Sequence, residues 1–181
     1  MVTRACAIFS LTVCLLVELV GDGAAEVKSV TPGGFEVAET LTIQAPAERV
    51  YGALGEIDRW WSPDHTFSRD AANLSIELKA GGCFCERLKS GGSVVHLTVV
   101  YVAPAEGVRM RGALGPLQME GADGVLAWTL KSTAGATSVS QSYVLGGYIR
   151  GGADPWATRV DRVLSEQLNR LKRFVETGSP K

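Results

Sequence analysis

The chain has 181 residues and carries 18 Lys and Arg against 19 Asp and Glu, a formal net charge of -1 at pH 7. With no basic excess and no cationic stripe, the sequence argues against nucleic acid as a partner, because that binding depends on neutralising phosphates. A chain of this length can bury a full hydrophobic core without a metal ion or disulfides to support it.

The N-terminal segment has the composition of a secretory signal peptide. Arg4 precedes an apolar run over residues 5–17, which ends at Glu18 and is followed by small residues. A membrane-spanning helix needs about 20 uninterrupted apolar residues, and this run is shorter. We therefore expect residues 1–25 to be removed after Ala25. The protein would then be exported, periplasmic or secreted, with no stable membrane insertion after cleavage.

Two cysteines, Cys83 and Cys85, remain after this cleavage. Residues two apart in a regular strand point the same way, with Cα atoms near the upper limit of bridging distance. The sequence therefore predicts no structural disulfide between them. A zinc site would need two further ligands, and His65 and His96 are the only histidines. We expect no metal and no other cofactor, with the cysteines packed as small hydrophobic side chains.

The first half of the exported chain is predicted to hold one strand and two short helices. Residues 26–33 are predicted to be a short linker. A strand follows over residues 35–43, where apolar and polar side chains alternate. Pro46 begins a short helix that ends at Leu54, because proline suits a first turn, where its missing N–H costs nothing. Residues 56–61 add another helical turn.

From residue 74 to residue 145, apolar side chains recur at every second position, as they do in β-strands. Six further strands are predicted, over residues 74–78, 84–88, 94–102, 108–114, 125–131 and 137–145. Gly, Ser, Pro or Asp stand at their junctions, and such short connections favour antiparallel hairpins. The chain ends in an amphipathic helix, for which Asp154 is the predicted cap and Pro155 the first residue.

The predicted fold is α+β. A curved antiparallel sheet of about seven strands has an apolar face that two short helices cannot cover, so the long C-terminal helix must lie in its concavity. A sheet that wraps one helix in this way rarely closes completely. The gap between them predicts an apolar cavity.

This order of elements resembles the START-like or SRPBCC superfamily, which has the helix-grip fold and includes polyketide cyclases and lipid-transfer domains. The residues that carry the resemblance are, in chain order, 45–51, Trp60 and Trp61, Gly81 and Gly82, 83–86, Ala103 and Pro104, and 164–174. The pattern is most similar to the branch of heat-shock ATPase activator homologues (AHSA-like proteins). It covers residues 34–176 and leaves 177–181 as a C-terminal tail. The resemblance implies a ligand-binding fold without implying one activity.

Alternation assigns one face of each strand to the cavity. The side chains on that face are Leu74, Ile76, Leu78, Phe84, Leu88, Val108, Met110, Leu126, Trp128, Leu130, Val139, Tyr143 and Leu145. Over residues 94–102 both faces are apolar, so the pattern leaves open whether His96 or Tyr101 faces the cavity.

The candidate ligand-binding residues combine this face with the region where the early helices end, which is the predicted cavity mouth. They are Trp60, Trp61, Phe67, Ile76, Phe84, Glu86, Met110, Trp128 and Tyr143. Aromatic side chains at a mouth can stack on a flat ligand, but they also close cores, and both interpretations stay open. His65 at the mouth is either a proton shuttle or a surface histidine.

Glu86, His96 and Tyr143 are the candidate catalytic residues. Glu86 lies on the same face of its predicted strand as apolar neighbours. Burial there would raise its pKa and suit it to act as an acid or base. The alternative is a hydrogen-bonded or solvated residue at the rim of the sheet. Gln141 has the same two interpretations.

Three functions remain compatible with the sequence. The first is a noncatalytic binder of a small hydrophobic or aromatic molecule, lipid-like or polyketide-like, which an apolar pocket with few polar groups favours. The second is a polyketide cyclase- or dehydratase-like enzyme that uses the same cavity. The third is a modulator of a partner protein, an ATPase or chaperone, which predicts an exposed apolar patch.

Overall fold

The computed structural model of the protein describes residues 26–181, which form one antiparallel sheet and three helices. The predicted signal peptide, residues 1–25, lies outside the described residues. The strands are β1 (Glu26–Thr31), β2 (Gly34–Ile43), β3 (Leu74–Ile76), β4 (Cys83–Arg87), β5 (Ser93–Ala103), β6 (Gly107–Arg111), β7 (Gly121–Thr133) and β8 (Ala136–Tyr148). The helices are α1 (Ala47–Gly55), α2 (Ile57–Trp60) and α3 (Asp154–Thr177). Short 3-10 turns occupy Pro63–His65, Ala71–Asn73, Lys89–Gly91 and Gly115–Met119.

The sheet has the order β1-β2-β8-β7-β6-β5-β4-β3, and every neighbouring pair is antiparallel. Strands β3 to β8 form a meander, whereas the connection from β2 to β3 crosses the sheet through α1 and α2. Helix α3 packs against β1, β2, α1 and α2. The α+β helix-grip architecture predicted from the order of elements is confirmed.

Strand β1 lies within residues 26–33, where the sequence pattern predicts a linker. Its Val27 and Val30 pack against the core. These valines are three residues apart because the pairing with β2 shifts between Val27 and Ser29, which leaves Lys28 as a bulge. The bulge breaks the alternation from which strands are predicted. The sheet of the described chain therefore has eight strands instead of about seven.

Helix α3 covers the concave face of the sheet. Its buried residues are Ala157, Leu164, Gln167, Leu168, Leu171 and Phe174, which confirms the predicted amphipathic helix. Asp154 is the first residue of the helix, while Ala153 holds the cap position and no side chain bonds there, so the prediction of Asp154 as the cap is wrong.

Within residues 26–181, no helix is long and apolar enough to span a membrane.

The alternation of strand faces is confirmed over most of the sheet. Of the side chains predicted to face inward, Leu74, Phe84, Val108, Met110, Leu126, Trp128, Leu130, Val139, Tyr143 and Leu145 are buried. Ile76 and Leu78 are partly buried against the same core, and Leu88 is partly exposed just after β4. The inward face therefore forms the core, as the pattern predicts.

A bulge decides the orientation of β5. Leu97 pairs with Phe84 and Val95 with Cys85, which leaves His96 between them without a partner on β4. Two consecutive residues, His96 and Leu97, are therefore both buried. Tyr101, which was the alternative, is 42% exposed.

Cys83 and Cys85 form a disulfide, so the prediction of two unbridged cysteines is wrong. A regular strand would separate their Cα atoms by about 6.6 Å. Here the Cα atoms are 5.3 Å apart, which is well inside the bridging range. The bulge opposite, between Phe84 and Cys85 in the pairing with β5, disturbs the regular strand that the prediction assumed.

Glu39 on β2 is a buried acid that faces α3. It is 7% exposed, and its Oε2 has no hydrogen-bond partner among residues 26–181. It lies beside a small void that Asp161 and Ser165 of α3 also line. Burial raises the pKa of Glu39 above its ordinary value of 4.5 and outweighs the opposing effect of the nearby Ser165 hydroxyl. The ionised form of Glu39 therefore destabilises the fold.

Replacing Glu39 with glutamine is expected to raise the free energy of unfolding at pH 7 by about 1 kcal/mol. A folded-state pKa above the unfolded value gives stability that is complete below pH 4.5 and is lost as the pH rises through the folded pKa. The gain should therefore disappear below about pH 4.5, where wild-type Glu39 is already neutral. Urea denaturation of both proteins at pH 7 and below pH 4.5 measures this difference in the free energy of unfolding. Glu36→Gln on the opposite face is the control, and a variant less stable than wild type at pH 7 would contradict the argument.

Candidate functional site

A cavity of about 360 Å³ lies between α3, the segment that follows α2, and the β4–β5 end of the sheet. The lining residues are Trp61, Asp64, His65, Thr66, Phe67, Phe84, His96, Leu114, Gly115, Pro116, Leu117, Trp156, Arg159, Val160, Val163 and Leu164. Most of these side chains are aromatic or aliphatic. The cavity is therefore an apolar pocket with a small number of polar groups in its wall.

Glu86 and His96 form a hydrogen-bonded pair in this wall. Glu86 lies on β4 and His96 is the bulge residue of β5, and Nε2 of His96 is 3.0 Å from Oε2 of Glu86. The backbone N–H groups of Phe67 and Ser68 also donate to the Glu86 carboxylate. The Glu86 side chain is fully buried, and that of His96 is 6% exposed. The carboxylate is thus held from three directions behind the imidazole.

The protonation of this pair follows from its contacts. Burial alone would raise the pKa of Glu86, but the hydrogen bonds from Ser68, Phe67 and His96 outweigh it, so the pKa lies below its ordinary value. Burial lowers the pKa of His96, although the contact with Glu86 opposes this shift. An ionised carboxylate only accepts hydrogen bonds. Nε2 of His96 therefore donates to it, and the neutral form of the ring, which burial favours, carries its proton on Nε2 and leaves Nδ1 unprotonated.

Two phenylalanines hold the His96 ring. Phe67 stacks on it with a centroid distance of 5.9 Å and an interplanar angle of 22°. Phe84 packs against it at 4.9 Å and 35°. Phe67 is 52% exposed at the mouth, whereas Phe84 is buried in the floor. The imidazole is thus one layer in a stack of flat side chains that lines the cavity.

His65 connects the mouth of the cavity to α3. Its Nε2 lies 3.0 Å from Oε2 of Glu166, and its backbone oxygen accepts a hydrogen bond from Nε1 of Trp61. Burial would raise the pKa of Glu166, but hydrogen bonds from His65 and Ser62 outweigh it and lower the pKa. His65 therefore fastens the segment after α2 to α3 and is not a free surface histidine.

Of the predicted ligand-binding residues, Trp61, Phe67 and Phe84 line the cavity. Trp60, Met110 and Trp128 are buried in the core, Ile76 packs at its edge, and Glu86 lies behind His96. The side chain of Gln141 has a structural role, because it accepts a hydrogen bond from Nε1 of Trp128 at 2.8 Å and donates one to the Leu164 carbonyl oxygen at 3.0 Å.

Tyr143 does not line the cavity. Its hydroxyl donates to the Gly112 carbonyl at 3.0 Å and accepts from the Leu114 N–H at 3.1 Å. Burial raises its pKa to about 12. The phenol is therefore occupied in holding the loop after β6 and is poorly suited to exchange protons with a ligand.

Two parts of the lining were not among the predicted ligand-binding residues. One is the loop Leu114–Leu117, and the other is the first half of α3, with Trp156, Val160 and Val163. Glycine and proline in the loop, and the continuation of the apolar stripe to the start of α3, were the signals available. Neither signal says which side of the sheet the loop covers.

Among residues 26–181, no group of three or more His, Cys, Asp or Glu side chains is placed to hold a metal ion. The polar side chains that line the cavity are Asp64, His65, Thr66, His96 and Arg159. Glu86 and Glu166 bond to the two histidines from outside this lining. This set can position a ligand or move a proton.

The profile of the polyketide cyclase/dehydrase and lipid transport family matches residues 34–176. The chain belongs to this family. The predicted membership of the START-like or SRPBCC superfamily is confirmed. A comparison with curated protein sequences finds no match.

Solved structures with the fold of this family are similar to the chain. The conserved protein EF2215 from Enterococcus faecalis is 18% identical with a TM-score of 0.58, covering 86% of this chain and 78% of that one. CalU16 from Micromonospora echinospora is 13% identical with a TM-score of 0.56, covering 86% of each chain. The Aha1 dimer from Colwellia psychrerythraea is 19% identical with a TM-score of 0.53, covering 79% of this chain and 97% of that one. At these identities the likeness shows the shared fold.

Proposed function

We propose that this family member binds a small hydrophobic or aromatic molecule in the cavity beneath α3. The observation that carries the proposal is the cavity itself, an open-mouthed pocket of about 360 Å³ lined by Trp61, Phe84, Leu117 and other apolar side chains. Burial of apolar ligand surface there supplies the driving force, at roughly 25 cal/mol per Å². The few polar groups in the wall orient the ligand.

The size and shape of the cavity favour a compact ligand. Its volume is near the lower end of the range of small-molecule sites, which is about 300–1,000 Å³. The parallel rings of Phe67 and His96 favour a planar molecule that continues the stack. We therefore expect an aromatic or conjugated compound, polyketide-like in character, in preference to a long-chain lipid.

We propose further that the protein is exported and works in the periplasm or outside the cell. The composition of residues 1–25 supports this location. The disulfide between Cys83 and Cys85 supports it as well, because disulfides persist in oxidising compartments. A cytosolic chaperone would not be available as a partner there.

Native mass spectrometry of the protein from its own envelope fraction tests both proposals. We expect a polypeptide of residues 26–181 that releases a small molecule on denaturation. Val163→Trp should yield an empty protein, because the indole occupies the cavity that Val163 lines. Thr158→Trp is the matched control, since it places the same side chain on the exposed face of α3 and should leave the protein loaded.

Two outcomes would contradict these proposals. A protein that retains Met1 in the envelope fraction overturns the cleavage of residues 1–25. An empty wild-type protein whose melting temperature is unchanged by a library of aromatic compounds and lipids overturns ligand binding. In that case a protein partner becomes the better hypothesis.

A further inference from the structure

The Glu86–His96 pair is more than ligand binding requires. A carboxylate and an imidazole are costly to bury in an apolar wall unless further contacts hold them, and here the N–H groups of Phe67 and Ser68 hold the carboxylate in addition to its bond with His96. We propose that this pair is a general base, and that the protein removes a proton from an acidic C–H group of a planar conjugated molecule bound in the cavity. The proposal rests on the proposed binding function and adds a reaction to it.

His96 lines the cavity, and its Nε2 is turned towards Glu86. Nε2 is held at 3.0 Å by Glu86, which is itself fixed by the backbone N–H groups of Phe67 and Ser68. No residue of the described chain bonds to Nδ1, and Nδ1 is not among its buried atoms that lack a partner. Because the His96 ring lines the cavity, we infer that this second nitrogen is the one a bound ligand meets. A lone pair in a defined position is what a base requires.

The surroundings of Nδ1 define the class of substrate. Phe67 and Phe84 flank the His96 ring, and Trp61 packs edge-on against Phe84 with centroids 5.4 Å apart. These flat walls accept a planar molecule, which would displace water from the base on binding. Arg159 at the mouth is the one cationic side chain of the described lining. The substrate is therefore a planar conjugated compound whose reacting carbon lies next to His96.

The reaction balances without an oxidant or a second substrate. The C–H bond breaks, its proton forms the new N–H bond at Nδ1, and its electron pair is delocalised over the conjugated system. Glu86 stabilises the resulting imidazolium through the Nε2–H bond, as a carboxylate does for a histidine base. The proton then returns to another carbon of the same system or passes to water. His96 touches the reacting atoms and is the catalytic residue, and Glu86 is a positioning residue.

A suitable probe is 5-nitrobenzisoxazole, a planar carbon acid. Removal of its C3 proton breaks the ring N–O bond and yields a nitrile and a coloured phenolate, so the rate is followed by absorbance. We expect the mature protein to open it about 100-fold faster than His96→Gln, since a positioned base contributes typically 10²- to 10⁴-fold. Binding of the dye N-phenyl-1-naphthylamine is measured for both proteins, so that a loss of affinity at the cavity wall is separated from the loss of the base.

The pH profile separates a positioning role of Glu86 from a merely structural one. The rate should rise with pH to a plateau, with a midpoint below the ordinary histidine value, because burial disfavours the charged ring. In Glu86→Gln the midpoint should move lower still, since the carboxylate raises the pKa of His96, and the plateau should fall. The other ionisable groups that face the cavity are Asp64, His65 and Arg159. Because both proteins contain these groups, a difference between the midpoints of the two pH profiles is due to Glu86.

A measurement on the wild-type protein covers the case in which these variants do not fold. Nitrogen-15 NMR of labelled histidine is expected to show His96 with its proton on Nε2 and a bare Nδ1 at pH 7. A proton on Nδ1 overturns the proposal. So does a wild-type protein that binds the dye but opens the probe no faster than His96→Gln. A wild-type protein that binds neither dye nor probe overturns the binding function itself.

Discussion

Replacing Trp60 with alanine is expected to lower the free energy of unfolding by about 4 kcal/mol. The Trp60 side chain is 1% exposed, its ring packs edge-on against Trp128 at a centroid distance of 6.2 Å, and its Nε1 donates to Ala53 O at 2.7 Å. Alanine would leave a void between α2 and the sheet and would remove this hydrogen bond. Urea denaturation followed by far-ultraviolet circular dichroism measures the loss.

Phe67→Ala is the matched control for this aromatic truncation. Phe67 is 52% exposed at the cavity mouth, so its removal should cost less than about 1 kcal/mol of stability. The same change should weaken ligand binding, because Phe67 lines the cavity and Trp60 does not. A Trp60→Ala protein with wild-type stability and lost ligand binding would instead place Trp60 at the site, which is the other interpretation that the sequence leaves open.

Replacing Gly34 with alanine is expected to lower the free energy of unfolding by about 3 kcal/mol, the sum of backbone strain and overpacking. Gly34 has φ +150°, and an added Cβ would overlap the carbonyl oxygen of Leu145 and lie 2.9 Å from the Cα of Gly146. These atoms belong to the backbone of β8, the strand that pairs with β2. The only relief is to separate the two strands, which breaks ladder hydrogen bonds.

The neighbouring glycine provides the control. An added Cβ on Gly33 would meet only the Thr31 hydroxyl oxygen, at 3.8 Å. Gly33→Ala should therefore change the stability by less than about 1 kcal/mol. Thermal denaturation of the two variants side by side measures the difference. Equal stability of both would mean that β2 and β8 do not approach as closely at Gly34 as described.

The order of elements could be predicted because it depends on local hydrophobic periodicity. The strands predicted over residues 125–131 and 137–145 lie inside β7 and β8, and the predicted C-terminal helix matches α3. In each case one face is packed against a core and the other meets solvent. That asymmetry is visible in a short window of sequence.

The bulges could not be predicted, because a bulge is a property of two paired strands. At Lys28 and His96 one strand has one residue more than its partner, and the following side chains change faces. The pattern of β1 therefore resembled a linker, and that of β5 left the choice between His96 and Tyr101 open. Only the register with β2 and β4 decides these cases.

Adjacent aromatic residues illustrate the same limit at the site. Trp60 and Trp61 are consecutive, but Trp60 enters the core and Trp61 lines the cavity. Tyr143 shares the inward face with the core and is bonded to the loop after β6. Alternation identifies the inward side of a strand but does not distinguish a core contact from a cavity contact.

The sequence by itself determined the α+β helix-grip fold, its membership of the family and an apolar space between sheet and helix, because all three depend on local periodicity and the order of elements. The tertiary structure decided which side chains line that space and that Glu86 contacts His96. These two residues are ten positions apart, and the pairing of β4 with β5 and the bulge at His96 bring their side chains to 3.0 Å. Side-chain direction depends on register with a partner strand, which a single segment does not encode.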